Sequence, residues 1–512
     1  MMRLWHHVAV WLWVGYCVFS IHARGLELSL DKNPTDRMRF HAIPVAISSL
    51  YHDWPADYTG IRPLSLRFQS AGTLDELIPW AVEYQQTPAD GVYYWAADYR
   101  GMADYVIWAF WLFGPSLHSL YLFYFVFLGA TCVLFLLEAR RRAEMHALLI
   151  FTLASMYACL GIIPLANLSP TAFDPVTIYE PRVIEVLSLI PTLHLAFACL
   201  LGSPWTRGRI AIAALQAGLL VWCYLARSSM GWQVGFILVV NFSHLAWSWF
   251  RSRRAVPPSP PVGRWFNRPG VVGLLLVVAA FTSLAAYQRV VFNAEYFKDW
   301  GARVVWHNAL MAIGSDPELG QKYKLSVSDV DSITAVLAYL KERNDPRLNP
   351  EWTPQSFLNA FGSHGKVDWM LYDQAAKELY LHIWRENPRG MLRLYFHSKP
   401  LEILSAFHGV YRRDAMPQRN VRDLFFSPLS AGALILAFPG LLLALATRAR
   451  IGPIALWLPA LCVLGLVPGV LFYSVVLTMM GAFISVALAI YLLATAACML
   501  AYRAAEGATS RP

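Results

Sequence analysis

Carboxylates and cations gather in two hydrophilic stretches of this chain, and together they supply what is needed to activate a hydroxyl and to neutralise a departing anion. The first stretch, Arg24–Gly101, carries Asp31, Asp36, Asp53, Asp57, Asp75, Glu76, Asp90 and Asp98, with Asp104 just beyond it. A carboxylate held beside a hydroxyl orients or deprotonates it. Asp98 is the first candidate for that base, because it stands just before an aromatic helix; it reads equally as a partner of Arg100 or a cap of that helix. Asp57 and Asp53, in His52-Asp53-Trp54-Pro55-Ala56-Asp57, come next. Asp174, in a later short loop, is a candidate second acid or metal contact. Charge growing on a leaving phosphate calls for cations, and Arg303, His307 and Lys366 are the candidates. Lys366 lies in His364-Gly365-Lys366, a polar turn before a helix, where backbone donors can hold an anion. His307, between Trp306 and Asn308, reads more readily as a packed residue than as a catalytic one. Arg385, Arg389, Arg393, Lys399, Arg412 and Arg413 form a cationic band that equally suits lipid head groups.

The elements that must position these residues are mostly apolar. Of 512 residues, 57% are hydrophobic and 15% charged, and the mean hydropathy is +0.42. A soluble domain carries about a quarter charged residues, so the shortfall belongs to segments in lipid. The net charge of +9 and pI of 9.1 would suggest nucleic acid in a soluble protein. Here the basic residues sit in short loops between apolar runs, as the positive-inside rule requires. The seven cysteines (Cys17, Cys132, Cys159, Cys199, Cys223, Cys462 and Cys498) all fall inside apolar runs. They form no disulfide framework in the hydrophilic stretches and no CxxC or Cys/His zinc pattern. Nucleotide-binding GxxxxGK[ST] and GxGxxG motifs are absent.

Apolar stretches near the length of a bilayer crossing fall at Leu4–Ala23, Leu117–Leu137, Met145–Leu165, Val183–Leu201, Ile210–Ala226, Trp232–Phe250, Val271–Tyr287, Pro428–Ala446, Ile454–Tyr473 and Gly481–Tyr502. With a cytoplasmic N-terminus, the basic loops at Arg140–Arg142, Arg207/Arg209, Arg251–Arg268, Arg448/Arg450 and Arg503 all fall inside. Both termini are then cytoplasmic and both hydrophilic stretches outside. The first span ends Ile21-His22-Ala23, which also resembles a signal-peptidase site; its tryptophans favour a retained anchor. Met102–Phe113 is too short to cross and is rich in aromatics. It ends at Gly114-Pro115 and reads as an interfacial helix, or else as a kinked top of the second span. The proline-rich Val256–Val262 is a stiff connector. In the second stretch, Ser328–Arg343 is expected to be a helix with a Ser328…Asp331 cap, and Val367–Glu386 another, stopped by Asn387-Pro388. Met391–Phe407 is amphipathic, basic and interrupted by Pro400, as expected of a segment resting on a membrane. The chain thus divides at residues 1–23, 24–116, 117–287, 288–427, 428–503 and 504–512. The expected fold is an all-α polytopic membrane protein of about ten transmembrane helices, with an interfacial helix in the first outer loop and a small, mainly helical outer segment.

The passage Asp90-Gly-Val-Tyr-Tyr-Trp-Ala-Ala-Asp98-Tyr-Arg-Gly101, leading through Asp104 into the aromatic helix, resembles the acidic loop-to-helix passage of bacterial membrane glycosyltransferases of the GT-C class. Trp306-His307-Asn308-Ala309-Leu310 to Gly314 resembles a pattern in uncharacterised members. Such enzymes often carry adjacent acids after the first span, whereas Asp31 and Asp36 here are separated. The resemblance implies a multi-pass protein of the bacterial inner membrane that transfers sugar from a polyprenyl-phosphate carrier, on the extracytoplasmic face, to a glycan, lipid or protein acceptor. Membrane lipids are expected partners and nucleic acid is not. No cofactor is specified, and a divalent metal is left open. A lipid-linked glycan polymerase or ligase shares the same features. A transporter or flippase would need ionisable groups inside spans, where Glu185, His194 and His244 are the main polar residues, and no internal repeat supports it.

Overall fold

The apolar runs are helical wherever the computed structural model describes them: residues 2–29, 42–53, 59–69, 72–85, 92–94, 100–139, 142–160, 184–198, 205–227, 230–254, 269–291, 305–346, 348–360, 369–408, 428–447, 454, 457–471 and 480–509. Helix α1 (Met2–Ser29) is followed by α2 (Ile43–Tyr51), β1 (Thr59–Ile61), α3 (Arg62–Gln69), α4 (Leu74–Glu83) and β2 (Val92–Tyr94). The aromatic helix is α5 (Arg100–Phe113). It is followed by α6 (Leu117–Ala139), α7 (Ala143–Cys159), a 3-10 turn at Glu185–Ser188 that runs into α8 (Leu189–Ala198), α9 (Arg207–Ala226), α10 (Gly231–Arg254) and α11 (Pro269–Val291). Outside the spans come α12 (Val305–Ile313), α13 (Pro317–Tyr323), α14 (Asp329–Glu342), α15 (Pro354–Ala360), α16 (Trp369–Glu386), α17 (Pro388–Arg393), a π-turn at Leu394–Ser398 and α18 (Lys399–His408). The last helices are α19 (Pro428–Ala446), α20 (Leu458–Leu471) and α21 (Met480–Thr509).

Among the described residues, five helical segments are long and apolar enough to cross a membrane: His7–Leu26, Leu117–Ala139, Arg207–Ala226, Gly270–Tyr287 and Ile484–Ala501. Helix α10 has the length, at 24 residues, and turns Gln233 and Asn241 inward. A helix that is apolar on every side must be enclosed by protein or lipid, and here two are enclosed by protein. Helix α7 is buried along most of its length, Glu144 and His146 included. It packs against α1, α6, α19 and α21. Every residue of α8 is buried, between α6, α9 and α10. The surrounding helices keep bare apolar faces at Leu12, Phe19, Leu215, Phe242, Leu434 and Leu493, as lipid contact requires. The chain is a helical, polytopic membrane protein.

Between α1 and α6 the first hydrophilic stretch folds on itself. β1 and β2 pair antiparallel with Thr59 opposite Tyr94 and Ile61 opposite Val92, a small ladder that hydropathy did not reveal. Helix α5 is amphipathic in place: Met102, Tyr105, Val106, Ala109 and Phe110 are buried while Trp108, Trp111 and Phe113 are bare. It is a separate helix from α6, because Gly114 takes φ +84° and Ser119 Oγ donates to the Gly114 carbonyl at 2.6 Å.

The second stretch has its own core of Leu310, Ile313, Ile333, Val336, Leu340, Phe357, Tyr372, Ile383, Met391 and Leu394. Two local expectations differ from the structure there. Ser328 occupies the N-cap of α14, yet its side chain makes no capping bond; Asp331 accepts instead from Ser326 Oγ. Asn387-Pro388 does end α16, but Asn387 then caps α17 by accepting from the Gly390 N–H at 3.0 Å. Pro400 does not break its segment. With no N–H to bond the carbonyl four residues back, it follows a wider π-turn, and the helix resumes.

Candidate functional site

A buried polar cluster lies where α9 ends, α10 begins and the 3-10 turn leads into α8. Glu185 opens the turn and is 1% exposed; Arg227 caps the C-terminus of α9 and is 6% exposed. Arg227 Nε stands 3.9 Å from Glu185 Oε2. Trp232 Nε1 donates to Glu185 Oε1 at 3.1 Å. Deeper in, Gln233 Oε1 accepts from the Ser188 and Thr192 hydroxyls at 2.5 and 2.9 Å. The guanidinium is the one under-supplied member: its Nε and Nη1 are buried without a hydrogen-bond acceptor among the described residues. A buried cation in that condition is costly unless an anion completes it. One carboxylate at 3.9 Å leaves donors for a second.

The entry of α5 abuts this cluster. A Cβ placed on Gly101 would come within 2.3 Å of the Ala226 backbone nitrogen, so only glycine lets the start of α5 touch the end of α9. Helix α5 therefore begins against the end of the bundle that holds Arg227.

The opposite end of α9 carries a second buried group. Arg209 lies about 27 Å from Arg227 along the helix axis, from the rise per residue. Its Nε and Nη2 reach Glu138 Oε1 at 2.7 and 2.5 Å. His194 Nε2 lies 3.8 Å from Glu138 Oε2, and neither ring nitrogen of His194 has a hydrogen-bond partner among the described residues.

The sequence candidates fall as follows. Asp98, Asp57, Asp174, Arg303 and Lys366 lie outside the described residues. Asp53 is exposed and follows α2 in the left-handed region, at φ 53°, a conformation aspartate tolerates better than most residues. His52 beside it bonds the Ala81 carbonyl at 2.7 Å. His307 is buried in the core of the second stretch. Its Nδ1 meets Tyr372 Oη at 2.7 Å and its Nε2 meets Asp329 Oδ1 at 2.9 Å, so both nitrogens are engaged within that domain. Asp373 Oδ1 accepts the Trp306 and His307 N–H groups at 3.1 and 3.3 Å. Tyr372 is held well above the usual phenol range by burial, then by Asp329 and Asp373. Among the described residues no group of three or more His, Cys, Asp or Glu is placed to hold a metal.

Sequence reasoning found Glu185 as an ionisable residue inside a span but passed over Arg227. The signal was there: Arg227 is a cation in a short loop on the side expected to be outside, where the positive-inside rule disfavours it.

No protein-family model matches the chain, and no curated protein matches it. Among solved structures, the crystal structure of ArnT from Cupriavidus metallidurans bound to undecaprenyl phosphate is similar over 95% of this chain and 77% of that one, with 12% identity and a TM-score of 0.32. At that level the likeness lends no weight to a function.

Proposed function

We propose that this membrane protein is a glycosyltransferase that takes sugar from a polyprenyl-phosphate donor, with Arg227 holding the carrier phosphate. The observation that carries this reading is the buried Arg227 guanidinium, short of acceptors at a helix end next to α5. A phosphate on a lipid tail suits it twice over: its oxygens accept from the fork of N–H donors, and its tail stays in the bilayer. In the reaction an acceptor hydroxyl attacks the anomeric carbon and the bond from that carbon to the phosphate oxygen breaks. The hydroxyl proton passes to a carboxylate, for which Asp98 remains first choice and Asp57 and Asp53 follow. Arg227 offsets the charge left on the carrier phosphate, and Glu185 holds Arg227 in place. Asp174, Arg303 and Lys366 remain proposals for substrate contacts; His307, buried with both ring nitrogens engaged by Tyr372 and Asp329, is a packing residue of the second stretch instead. The positive-inside pattern supports an extracytoplasmic position for this site, in a bacterial inner membrane.

The test is native mass spectrometry of the gently solubilised wild type and of Arg227→Ala, followed by transfer assays with a panel of polyprenyl-phosphate sugars. Co-purified polyprenyl phosphate that is lost in Arg227→Ala, together with lost transfer, is the expected result. Retention of carrier and activity in the variant removes Arg227 from the mechanism. A second reading, transport, is favoured by the Glu138–Arg209–His194 group, since ionisable residues enclosed in a bundle commonly line ion paths. Substrate uptake by proteoliposomes that is lost in Glu138→Gln, with no sugar transfer by the wild type, would select it.

A further inference from the structure

We infer that α17, the π-turn and α18 form a strap lying in the plane of the bilayer surface, with Leu392, Phe396 and Leu401 inserted among phospholipid chains. The observation is an apolar face laid bare outside the spanning helices. Phe396 is 80% exposed, barer than Leu12 or Trp111, and Leu392 and Leu401 are each about half exposed. The other face of the strap is anchored. Met391, Leu394 and Ile403 are buried, and Lys399, also buried, donates to Glu402 Oε2 at 2.8 Å and Ser315 Oγ at 3.1 Å.

The π-turn is what gathers the bare residues. In an unbroken α-helix, Leu392 and Leu401 would point about 180° apart, at 3.6 residues per turn. The extra residue of a π-turn removes about 100° of that offset, bringing Leu401 toward the side of Leu392 and Phe396. Pro400, which cannot donate to the carbonyl of Phe396, sits where the widened turn makes that loss harmless.

The occupant is the bilayer because of where the strap lies. Helix α18 packs against α20, whose sequence Leu-Pro-Ala-Leu-Cys-Val-Leu-Gly-Leu-Val-Pro-Gly-Val-Leu has no charged residue and is one of the expected spans. Ile403 of α18 belongs to the bundle's own core, so the strap is seated directly on the apolar helices. Arg389, exposed and one turn before Leu392, supplies the cation expected at a head-group boundary.

The experiment places the photoreactive residue p-benzoylphenylalanine singly at 392, 396 and 401, and at the exposed control positions 330 and 341. The full chain is held in nanodiscs containing an alkyne-tagged phospholipid, and each variant is first checked for wild-type thermal stability. About tenfold more lipid adduct at 396 and 392 than at the controls is expected, given burial of this face among acyl chains. Equal lipid adduct at all positions overturns the inference. Protein–protein adducts in place of lipid adducts also overturn it, by assigning the face to a second copy of the chain.

Discussion

Arg227 and Glu185 are separated by 41 residues, and neither belongs to a recognisable motif, so only the fold joins them. Arg227→Ala is expected to lower sugar transfer by about 10²–10³-fold, with Arg227→Lys between it and the wild type, because a point charge cannot replace the planar fork. Asp316 belongs to stability instead. Its carboxylate caps α13 by accepting from the Glu318 and Leu319 N–H groups, and takes Arg393 Nε and Nη2 at 2.9 and 2.8 Å. Burial raises its pKa, but Arg393, the Leu319 N–H and the Ser398 hydroxyl outweigh burial, and the net shift is downward from 3.8. A carboxyl whose folded pKa is depressed stabilises above its unfolded value and loses that contribution as pH falls through the folded one. Unfolding of the second stretch, followed by its tryptophan signal, should therefore show an acid limb below about pH 4. Asp316→Ala should remove this limb and cost about 2 kcal/mol in the same measurement at neutral pH.

At the scale of elements, the spans were legible because runs of about twenty apolar residues admit few other readings. The far end of the third span, expected at Leu165, lies outside the described residues. The β1–β2 ladder escaped because three-residue strands carry too little alternation to register. The proposed site was only half legible, since a lone arginine at the end of an apolar run resembles any loop cation. The joint between α5 and α9 gives a direct prediction. Gly101→Ala forces its Cβ onto the Ala226 backbone, should lower the melting temperature by an amount equivalent to about 1–3 kcal/mol, and should weaken transfer through displacement of α5. Gly114→Ala, strained at φ +84°, should cost about 1 kcal/mol in the same melt. Because a Cβ at Gly114 would meet nothing within 4 Å, this variant should leave transfer nearly intact, and equal loss of activity in both variants would count against the joint.

For the whole molecule, the basic loops predict the sidedness. Reporter fusions after residue 343 should be active only in the extracytoplasmic compartment, and fusions at the C-terminus only in the cytoplasm; the reverse pattern would invert the position of Arg227. Helix α7 has a different consequence. It is made early in synthesis, yet its walls include α19 and α21 from the last part of the chain. Tyr157 closes over Gly432 of α19, and Phe151 over Gly440, only once that helix is in place. Until then α7 carries Glu144 and His146 without its final enclosure, and charged groups in acyl chains are expensive. Biogenesis thus has a long waiting period, during which a helix unsuited to lipid needs shelter from an insertion chaperone or from its neighbour α6. A nonsense mutation anywhere between residues 160 and 428 should leave α7 permanently unfinished, and make the truncated product a substrate for membrane proteolysis rather than a shorter, surviving protein.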